Sequence, residues 1–348
     1  MIRLGVDPGF GNFKVATATP EGVQVAVVPS VVGVGETDLG LLSIGNLGRR
    51  RRRSEPDRVA FGGVEYLVGE GVSRYARPVQ RMDFLRLSDG PELRALFYDA
   101  VFRLLGGGSH REIALMVGLP VEVMADRDRA RETLRAMRRW MVARHRFAVN
   151  DRPVTLQVAD VKVMAQPAGA FFAWGLDDNG RWARAKGDLK APVAICDIGF
   201  NTLDLFAVQG GEVAVRFTGG DTVGMRRAAE LLVNAVRAEH GVELSLPEAD
   251  ALLRSKRPIT YTAEGEVNLK ALVRQALDTA AAGIITFVEQ RWGNGRQFAH
   301  LLFTGGGAET LREALLRQYP HGVVLPDPVT ANAVGLARYA VRAFKTDG

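Results

Sequence analysis

Cysteine is nearly absent from this sequence: a single residue, Cys196, occurs among 348. One thiol can neither form an internal disulfide nor hold a zinc ion by itself, which excludes a secreted disulfide scaffold and a metal-stapled module. Histidine is also scarce, with five residues and no pair at the spacing of metal ligands. We therefore expect no functional site built from cysteine or histidine.

Long apolar runs are missing as well. No segment approaches the roughly 20 apolar residues needed to span a bilayer. The N-terminus enters an alternating strand pattern directly instead of a basic and then apolar signal segment. We therefore expect a cytoplasmic protein without a membrane segment. With 47% hydrophobic and 24% charged residues, the composition is that of a globular chain long enough for two domains.

Positive charge is in excess, with a net charge of +6 and a pI near 9.7. Much of it is local, in the five consecutive arginines Arg49 to Arg53 and in the segment "MRRWMVARHR". These clusters are either a solvated loop and a solvated helix face, or a patch for DNA, an acidic partner or a neighbouring subunit. We favour a subunit or partner contact for the arginine run over a role in phosphate chemistry.

Apolar patterning predicts two successive blocks of strands and helices. In the first block, strands are predicted at 2–6, 13–18, 23–28, 58–61 and 64–68, and in "EIALMVGLP" and "VTLQVADVKVMAQ". Its helices are predicted near 91–105, near 126–143 and in "PAGAFFAWG". A polar junction at 175–191 leads to strands at 192–197, 202–208 and 212–218 and helices at 222–239, 246–255 and 267–291. The chain closes with the strand "HLLFTG", the helix "AETLREALLRQY", the strand "GVVL" and a helix from about 329.

The two blocks repeat one another in their letters. "GVDPGFGNFKVATATPEGVQVAVVPS" and "ICDIGFNTLDLFAVQGGEVAVRFTGG" both run strand, Asp-x-Gly-Phe turn, strand, Gly/Glu turn and Val-rich strand. The turns lie at Asp7–Phe10 and at Asp197–Phe200. Similarity at such a long separation indicates duplicated domains, because a solenoid repeats every 20 to 50 residues or so. Two like domains, each with a turn, predict a cleft between them.

Each turn alone could be a plain hairpin tip. The sequence has neither a P-loop nor a Gly-x-Gly-x-x-Gly fingerprint entering a helix. Backbone N–H groups at a glycine tip can nevertheless bind a phosphate, since no Cβ keeps it away. Asp7 and Asp197 would repel phosphates unless a cation lay between them, and Mg²⁺ is the cation that takes few carboxylates together with phosphate oxygens. The pair of turns therefore predicts a two-sided polyphosphate clamp with Mg²⁺.

A third glycine site occurs in "LLFTGGGAETLREAL", where Gly305, Gly306 and Gly307 connect a strand to a helix. The segment is either a tight turn or a place where a nucleoside approaches the backbone, and beside a phosphate clamp we favour the nucleoside.

Taken together, these motifs resemble those of the superfamily of actins, sugar kinases and seventy-kilodalton heat-shock chaperone ATPases. "DPGFGNFK" and "DIGFNTLD" are similar to its two phosphate motifs and "FTGGGA" to its adenosine motif, while "VMAQPAGAFFAWG" and "PDPVTANAVGLARYA" resemble its connecting helices. The resemblance covers residues 2–340 and is greatest to the actin-like proteins of the ParM/StbA plasmid-segregation type. It fails at the arginine run and in the insertion around 175–190.

The resemblance assigns roles to individual residues. It implies that Asp7 and Asp197 hold a Mg²⁺ shell and act in catalysis with Gln166, which stands where actins place the residue that orients the attacking water. The phosphates would be lined by Gly9, Phe10, Gly11, Asn12, Lys14, Gly199, Phe200, Asn201 and Thr202. Base and ribose would lie against Gly305, Gly306 and Gly307, with Asp221 on the other side. A glutamine cannot act as a general base, so we expect slow hydrolysis, although Gln166 also suits a helix N-terminus before Pro167.

We therefore predict an α/β protein with two ribonuclease H-like, actin-like ATPase domains around a nucleotide cleft. Residues 1–175 would form domain I, with a variable outer subdomain at about 30–85 and a C-terminal helix at 329–348 packing back on it, and residues 176–328 would form domain II. The resemblance implies an ATPase that binds Mg²⁺-ATP and polymerises into filaments for plasmid or DNA segregation, with a DNA-binding adaptor as a further partner. The alternatives are a non-polymerising nucleotide-binding adaptor and a small-molecule kinase that uses Asp160 or Asp204 as its base.

Overall fold

A computed structural model describes residues 1–34, 55–76, 78 and 89–344. The arginine run at 49–53 lies outside these residues. The strands are β1 Ile2–Pro8, β2 Asn12–Thr19, β3 Gly22–Pro29, β4 Val32–Val34, β5 Asp57–Phe61, β6 Val64–Val68, β7 Gly108–Leu119, β8 Arg144–Val149, β9 Arg152–Ala165, β10 Val193–Ile198, β11 Leu203–Gln209, β12 Glu212–Val213, β13 Gly219–Asp221, β14 Ile259–Thr262, β15 Gly265–Asn268, β16 His300–Thr304 and β17 Gly322–Val324. The helices are α1 Pro91–Leu105, α2 Val121–Ala125, α3 Arg127–Met141, α4 Gln166–Gly175, α5 Lys186–Lys190, α6 Arg226–His240, α7 Leu246–Arg254, α8 Lys270–Trp292, α9 Gly305–Thr310, α10 Arg312–Gln318 and α11 Ala331–Ala343.

Two mixed sheets share the arrangement of five successive strands, β3-β2-β1-β7-β9 in one and β12-β11-β10-β16-β17 in the other. In the first sheet the strands run β3-β2-β1-β7-β9-β8-β5-β6-β4, and in the second β12-β11-β10-β16-β17, with β13 also paired to β11. In both, an antiparallel hairpin (β1 with β2, β10 with β11) is followed by parallel strands (β7 and β9, β16 and β17). The predicted α/β fold with two ribonuclease H-like sheets is confirmed.

The prediction of a strand at 212–218 is wrong. Only Glu212 and Val213 pair with β11, and the chain then forms a 3-10 turn over Val215–Phe217. Thr218 explains the break, because its Oγ1 accepts a hydrogen bond from the Ala207 amide at 3.2 Å and donates to the Ala214 carbonyl at 3.1 Å. A side chain thus takes the place of a strand partner, which apolar alternation cannot reveal.

Other elements also differ from the predictions, and β4 and β8 were not predicted. The hairpin of β14 and β15 has no counterpart among the predicted strands, and the following helix begins at Lys270 instead of 267. The single helix predicted from "AETLREALLRQY" is broken into α9 and α10 at Leu311.

Each sheet has its own apolar core. In the first, strand residues such as Leu4 and Leu115 pack against Phe97 of α1 and Trp140 of α3. In the second, strand residues such as Leu205 and Phe303 pack against Leu232 of α6 and residues of α8. The strands that carry the glycine turns therefore belong to buried, well-packed layers.

Helix α8 is long and apolar enough to span a membrane by length and composition alone, and it is the single such helix in the described residues. Eight of its residues are buried, among them Ile284, Val288 and Trp292, which are part of the second core. A core helix passes the same test of length and composition, so this helix is weak evidence for a membrane.

The helices α4 and α11 pack closely against each other, and α11 also packs on β1. A Cβ on Gly335 would lie 1.7 Å from the Gly169 carbonyl oxygen, and a Cβ on Gly5 would lie 2.3 Å from the Ala337 nitrogen. These glycines let backbones approach where no side chain fits. Helix α11, at the end of the chain, is thereby packed on the first sheet and on α4.

Asp99 predicts a pH dependence of stability. It is fully buried on α1, where Oδ2 accepts from Arg103 Nε at 3.0 Å and Oδ1 has no hydrogen-bond partner among the described residues. Burial raises the pKa of Asp99 from 3.8 to about 8, against the opposing effect of Arg103. Because the pKa is raised on folding, the unfolded chain loses the proton first, and stability falls as the pH rises from about 4 to about 8.

We therefore expect the melting temperature of Asp99→Asn to fall less between pH 5 and pH 8 than that of the wild type. Thermal unfolding followed by circular dichroism at both pH values measures this. Asp89→Asn is the matched control, since Asp89 is a solvent-exposed partner of Arg94 and should keep the wild-type pH dependence. Equal pH dependence in all three proteins would contradict the assignment.

Candidate functional site

The first Asp-x-Gly-Phe turn joins β1 to β2. Asp7 and Lys14 face each other in the strand register, and Lys14 Nζ donates to Asp7 Oδ2 at 2.8 Å. Both side chains are buried. Glycine is required at position 9, because a Cβ there would lie 2.6 Å from the Asn12 carbonyl oxygen. Phe10 packs against the first core and anchors the tip.

The second turn joins β10 to β11, as the first joins β1 to β2. The Gly199 amide donates to the Thr202 carbonyl at 2.9 Å, and Phe200 packs against the second core. The two tips meet, since a Cβ on Gly11 would lie 3.2 Å from Phe200 Cβ. The predicted facing of the two turns is thus present in the structure.

The third glycine segment begins α9 and lies against the second turn. Gly305 has a φ of +86°, and a Cβ there would lie 2.5 Å from Asp197 Oδ1. A Cβ on Gly307 would lie 2.2 Å from Ile198 Cγ2. Over Gly306 lies Arg254 of α7, whose Nη1 donates to the Gly306 carbonyl at 3.2 Å. The three glycines therefore form one wall, with a guanidinium at its outer edge.

The charges of the first two turns act on each other. Asp197 is 3% exposed, and its pKa is raised to about 6 by burial first and by the charge of Asp7 second. Two groups oppose this rise: Asn332 Nδ2, which donates to Asp197 Oδ2 at 2.6 Å, and the charge of Lys14. The two aspartates and these two donors form a single cluster.

Unpartnered acceptors concentrate at this cluster. Among the described residues, five buried side-chain oxygens lack a hydrogen-bond partner. Two belong to Asp7 and Asn332 of the cluster, one to Asn201 of the second turn and one to Asp204, the strand partner of Asp197, while the fifth belongs to Asp99 of α1. Buried polar atoms are normally satisfied, and a set of orphan oxygens suits a cation with its bound waters. No group of three or more His, Cys, Asp or Glu side chains in the described residues is placed to hold a metal by itself. The donor set thus fits an ion such as Mg²⁺ that takes few protein ligands.

Gln166 and Asp221 lie at the edges of the site. Gln166 is buried as the first residue of α4, and its Cα lies 3.1 Å from the position of a Cβ on Gly118. Gly118 follows Val117, which pairs with Val6, the residue before Asp7. Strand β7 therefore lies between Asp7 and Gln166. Asp221 ends β13 opposite Leu203, and its Oδ1 accepts from the Thr222 amide at 2.6 Å.

Two family profiles match the sequence. Residues 5–169 match the N-terminal domain of actin-like proteins, and residues 195–317 match the C-terminal domain of an archaeal, MreB-like actin homologue. Together they contain all three turns. The chain belongs to the actin-like proteins. No curated protein sequence matches this actin-like chain.

Solved structures share the fold of this actin-like protein. A non-polymerisable quadruple mutant of pCBH ParM has a TM-score of 0.76 and 18% identity, over 98% of this chain and 99% of that one. An archaeal actin homologue in complex with ADP has a TM-score of 0.73 and 18% identity, over 98% of this chain and 100% of that one. The 15-stranded ParM filament from Clostridium botulinum has a TM-score of 0.75 and 18% identity, over 98% of this chain and 99% of that one.

Two residues of the actin-like site escaped the sequence analysis. Asn332 reaches Asp197 across 135 positions of the sequence, and Arg254 reaches Gly306 across 52. Neither belongs to a glycine turn, and the sequence carries no local signal for either contact. Only the packing of α7 and α11 reveals them.

The two aspartates considered for a kinase are placed differently. Asp160 is partly exposed in the middle of β9 and pairs with Arg138 at 3.2 Å, five residues before the strand ends at Ala165. Asp204 is buried, and its Oδ1 accepts from the Val121 amide at 2.9 Å. Asp160 thus lies away from the turns, and Asp204, although it is the strand partner of Asp197, is 1% exposed, so neither is open to a substrate as a catalytic base must be.

A large cavity of the described residues lies away from the turns. It is a mostly apolar groove of about 950 Å³, lined among others by Met124, Phe172, Trp182, Val213 and Val215. Val215 is 78% exposed. An open apolar groove of this size indicates an interaction surface, not a nucleotide site.

Proposed function

We propose that this actin-like protein is a filament-forming ATPase of the ParM/StbA type that binds Mg²⁺-ATP between its two Asp-x-Gly-Phe turns. One observation carries the proposal. The two turns touch at Gly11 and Phe200, and each turn carries a buried oxygen without a partner among the described residues, on Asp7 in the first and on Asn201 in the second. A polyphosphate with its cation is the ligand that satisfies both the amide groups of the tips and these oxygens.

In this proposal the chain's residues keep the roles that the resemblance implies. Asp7 and Asp197 hold the Mg²⁺ shell, which would neutralise charge on the phosphates, and the tip residues from Gly9 to Asn12 and from Gly199 to Thr202 line the phosphates. Lys14 fixes the orientation of Asp7 through their ion pair and adds positive charge beside the phosphates. Gln166 orients the attacking water without acting as a base, so hydrolysis is slow.

The terminal phosphate is the part of the ligand that contacts both tips. Its loss removes the contact that distinguishes a closed cleft from an open one, so hydrolysis favours opening. In this proposal the protein works as a timer in the cytoplasm.

In the same proposal, residues 1–175 and 329–348 form one domain and residues 176–328 the other.

Arg254 is proposed to bind the base. Asp250 accepts two hydrogen bonds of 3.0 Å from the Arg254 guanidinium, and the third guanidinium nitrogen donates to the Gly306 carbonyl. The plane of the guanidinium is therefore fixed beside the glycine wall. Arg254→Ala is expected to weaken ATP and ADP binding about fivefold to tenfold, since stacking on a guanidinium contributes about 1 kcal/mol. Isothermal titration calorimetry measures this. Arg274→Ala, at an exposed site on α8, is the control, and equal affinities in both variants would contradict the role.

Self-association is proposed from the filament structure of the similar ParM protein and from the apolar groove beside Trp182 and Val215. We expect the protein to sediment, and to show filaments by electron microscopy, with ATP but much less with ADP. Val215→Asp should reduce sedimentation at least severalfold while nucleotide affinity is unchanged, because a charge in an apolar contact is costly. The groove is taken to receive a second copy of the chain.

The same experiment tests the alternative. If light scattering stays flat with ATP at tens of micromolar protein, the chain is a nucleotide-binding adaptor and not a filament protein. If filaments form, association with DNA then needs a separate DNA-binding adaptor, which pull-down with the assembled protein would identify.

A further inference from the structure

Asn332 connects the second turn to the last helix of the chain. It is the second residue of α11 and is 3% exposed. Its Nδ2 donates to Asp197 Oδ2 at 2.6 Å, and its Oδ1 is buried without a partner among the described residues. An asparagine that served only to join two elements would satisfy both ends of its amide.

The contact leaves one oxygen of Asp197 available. While Asp197 is ionised it can only accept hydrogen bonds, so the amide nitrogen of Asn332 must face it and the orientation of the amide is fixed. Oδ2 is occupied by this bond. Oδ1 is not used by this bond and lies over Gly305, where a Cβ would come within 2.5 Å. The second oxygen is therefore kept in one place for a ligand.

The backbone of Asn332 is held from the other side by α4. A Cβ on Gly169 would lie 2.4 Å from the Asn332 carbonyl oxygen and 2.8 Å from its Cα. Gly169 follows three residues after Gln166 on the same helix. Asn332 thus stands on the helix crossing that also carries Gln166, and its side chain reaches the opposite turn.

We propose that Asn332 is a positioning residue that fixes the Asp197 carboxylate for Mg²⁺ and holds it in register with the helix that carries Gln166. This rests on the proposed function, in which Asp197 belongs to the Mg²⁺ shell. Groups that orient the ligands of a metal commonly change metal affinity about 10-fold to 100-fold when they are removed. Asn332 should therefore act on Mg²⁺-dependent binding and not on the nucleotide itself.

The test measures the affinity for a fluorescent ADP analogue twice, in EDTA and with saturating Mg²⁺. Asn332→Ala, and Asn332→Leu as a variant of similar shape, are expected to keep the affinity in EDTA. The Mg²⁺ gain, which is the ratio of the affinity in Mg²⁺ to the affinity in EDTA, should fall about tenfold. The Mg²⁺ concentration for half-maximal binding should rise by a similar factor. Leu336→Ala, at a buried residue of the same helix that packs with Ala114 and Met116, controls for loosened packing of α11.

A double-mutant cycle separates positioning from a structural role. In an Asp197→Ala background, adding Asn332→Ala should cause no further loss of the Mg²⁺ gain, because residues that act through one another are not additive. If the Asn332 variants lower the melting temperature but keep the Mg²⁺ gain, the inference is overturned. If the wild type shows no Mg²⁺ gain, the proposed function fails first, which is a distinct result.

Discussion

Asp7→Asn is expected to lower Mg²⁺-dependent ATP hydrolysis about 100-fold or more while the protein stays folded. A bound metal contributes several kcal/mol of charge stabilisation, and each 1.4 kcal/mol is a factor of about ten in rate. The amide cannot neutralise Mg²⁺ as the carboxylate does. It still offers an oxygen to Lys14, whose ammonium is buried and bonds Asp7 at 2.8 Å.

Asp7→Ala separates the two roles of this carboxylate. It would leave Lys14 as a buried charge without its partner, and breaking a buried pair in this way costs about 3–5 kcal/mol. We therefore expect the alanine variant to lose stability as well as activity. Phosphate release with Mg²⁺ and with EDTA, together with thermal unfolding, measures both effects.

Asp151→Asn is the control for Asp7→Asn, since Asp151 is an exposed partner of Arg58 in the turn between β8 and β9. It should leave both activity and melting temperature within error of the wild type. Full Mg²⁺ dependence in Asp7→Asn would contradict the placement of Asp7 in the metal shell.

Gly335→Ala is expected to lower the free energy of unfolding by about 3 kcal/mol, or to leave the protein insoluble. The new Cβ would lie 1.7 Å from the Gly169 carbonyl oxygen and 2.4 Å from the Ala173 nitrogen, both of which are backbone atoms of α4. Relief would require α11 to move away from α4, but α11 is also packed on β1 at Gly5. Urea denaturation measures the change.

Gly283→Ala is the matched control for Gly335→Ala. Gly283 is a glycine of α8 with no atom within 4 Å of the position of a new Cβ. The substitution should raise the free energy of unfolding by about 0.5–1 kcal/mol, because alanine loses less conformational entropy in a helix than glycine. If the two variants changed stability alike, the close helix crossing would be refuted.

Local periodicity in the sequence predicted the fold. The alternation in β1, β2 and β3 and the repeat of Asp-x-Gly-Phe are enough to indicate two like α/β units. Periodicity failed at 212–218, where Thr218 hydrogen-bonds Ala207 and ends the strand pattern. It also could not predict the β14–β15 hairpin, in which Tyr261 is 69% exposed and no buried face imposes a pattern.

The sequence by itself determined that two glycine turns exist, that each begins with an aspartate, and that a third glycine segment follows, because turn chemistry and strand alternation are local properties. Only the tertiary structure decided that the turns touch at Gly11 and Phe200, that Lys14 is paired with Asp7, and that Asn332 and Arg254 reach the site. These contacts depend on how α7 and α11 pack on the two sheets. Packing joins residues that are far apart in the chain, and no pattern of neighbouring letters encodes it.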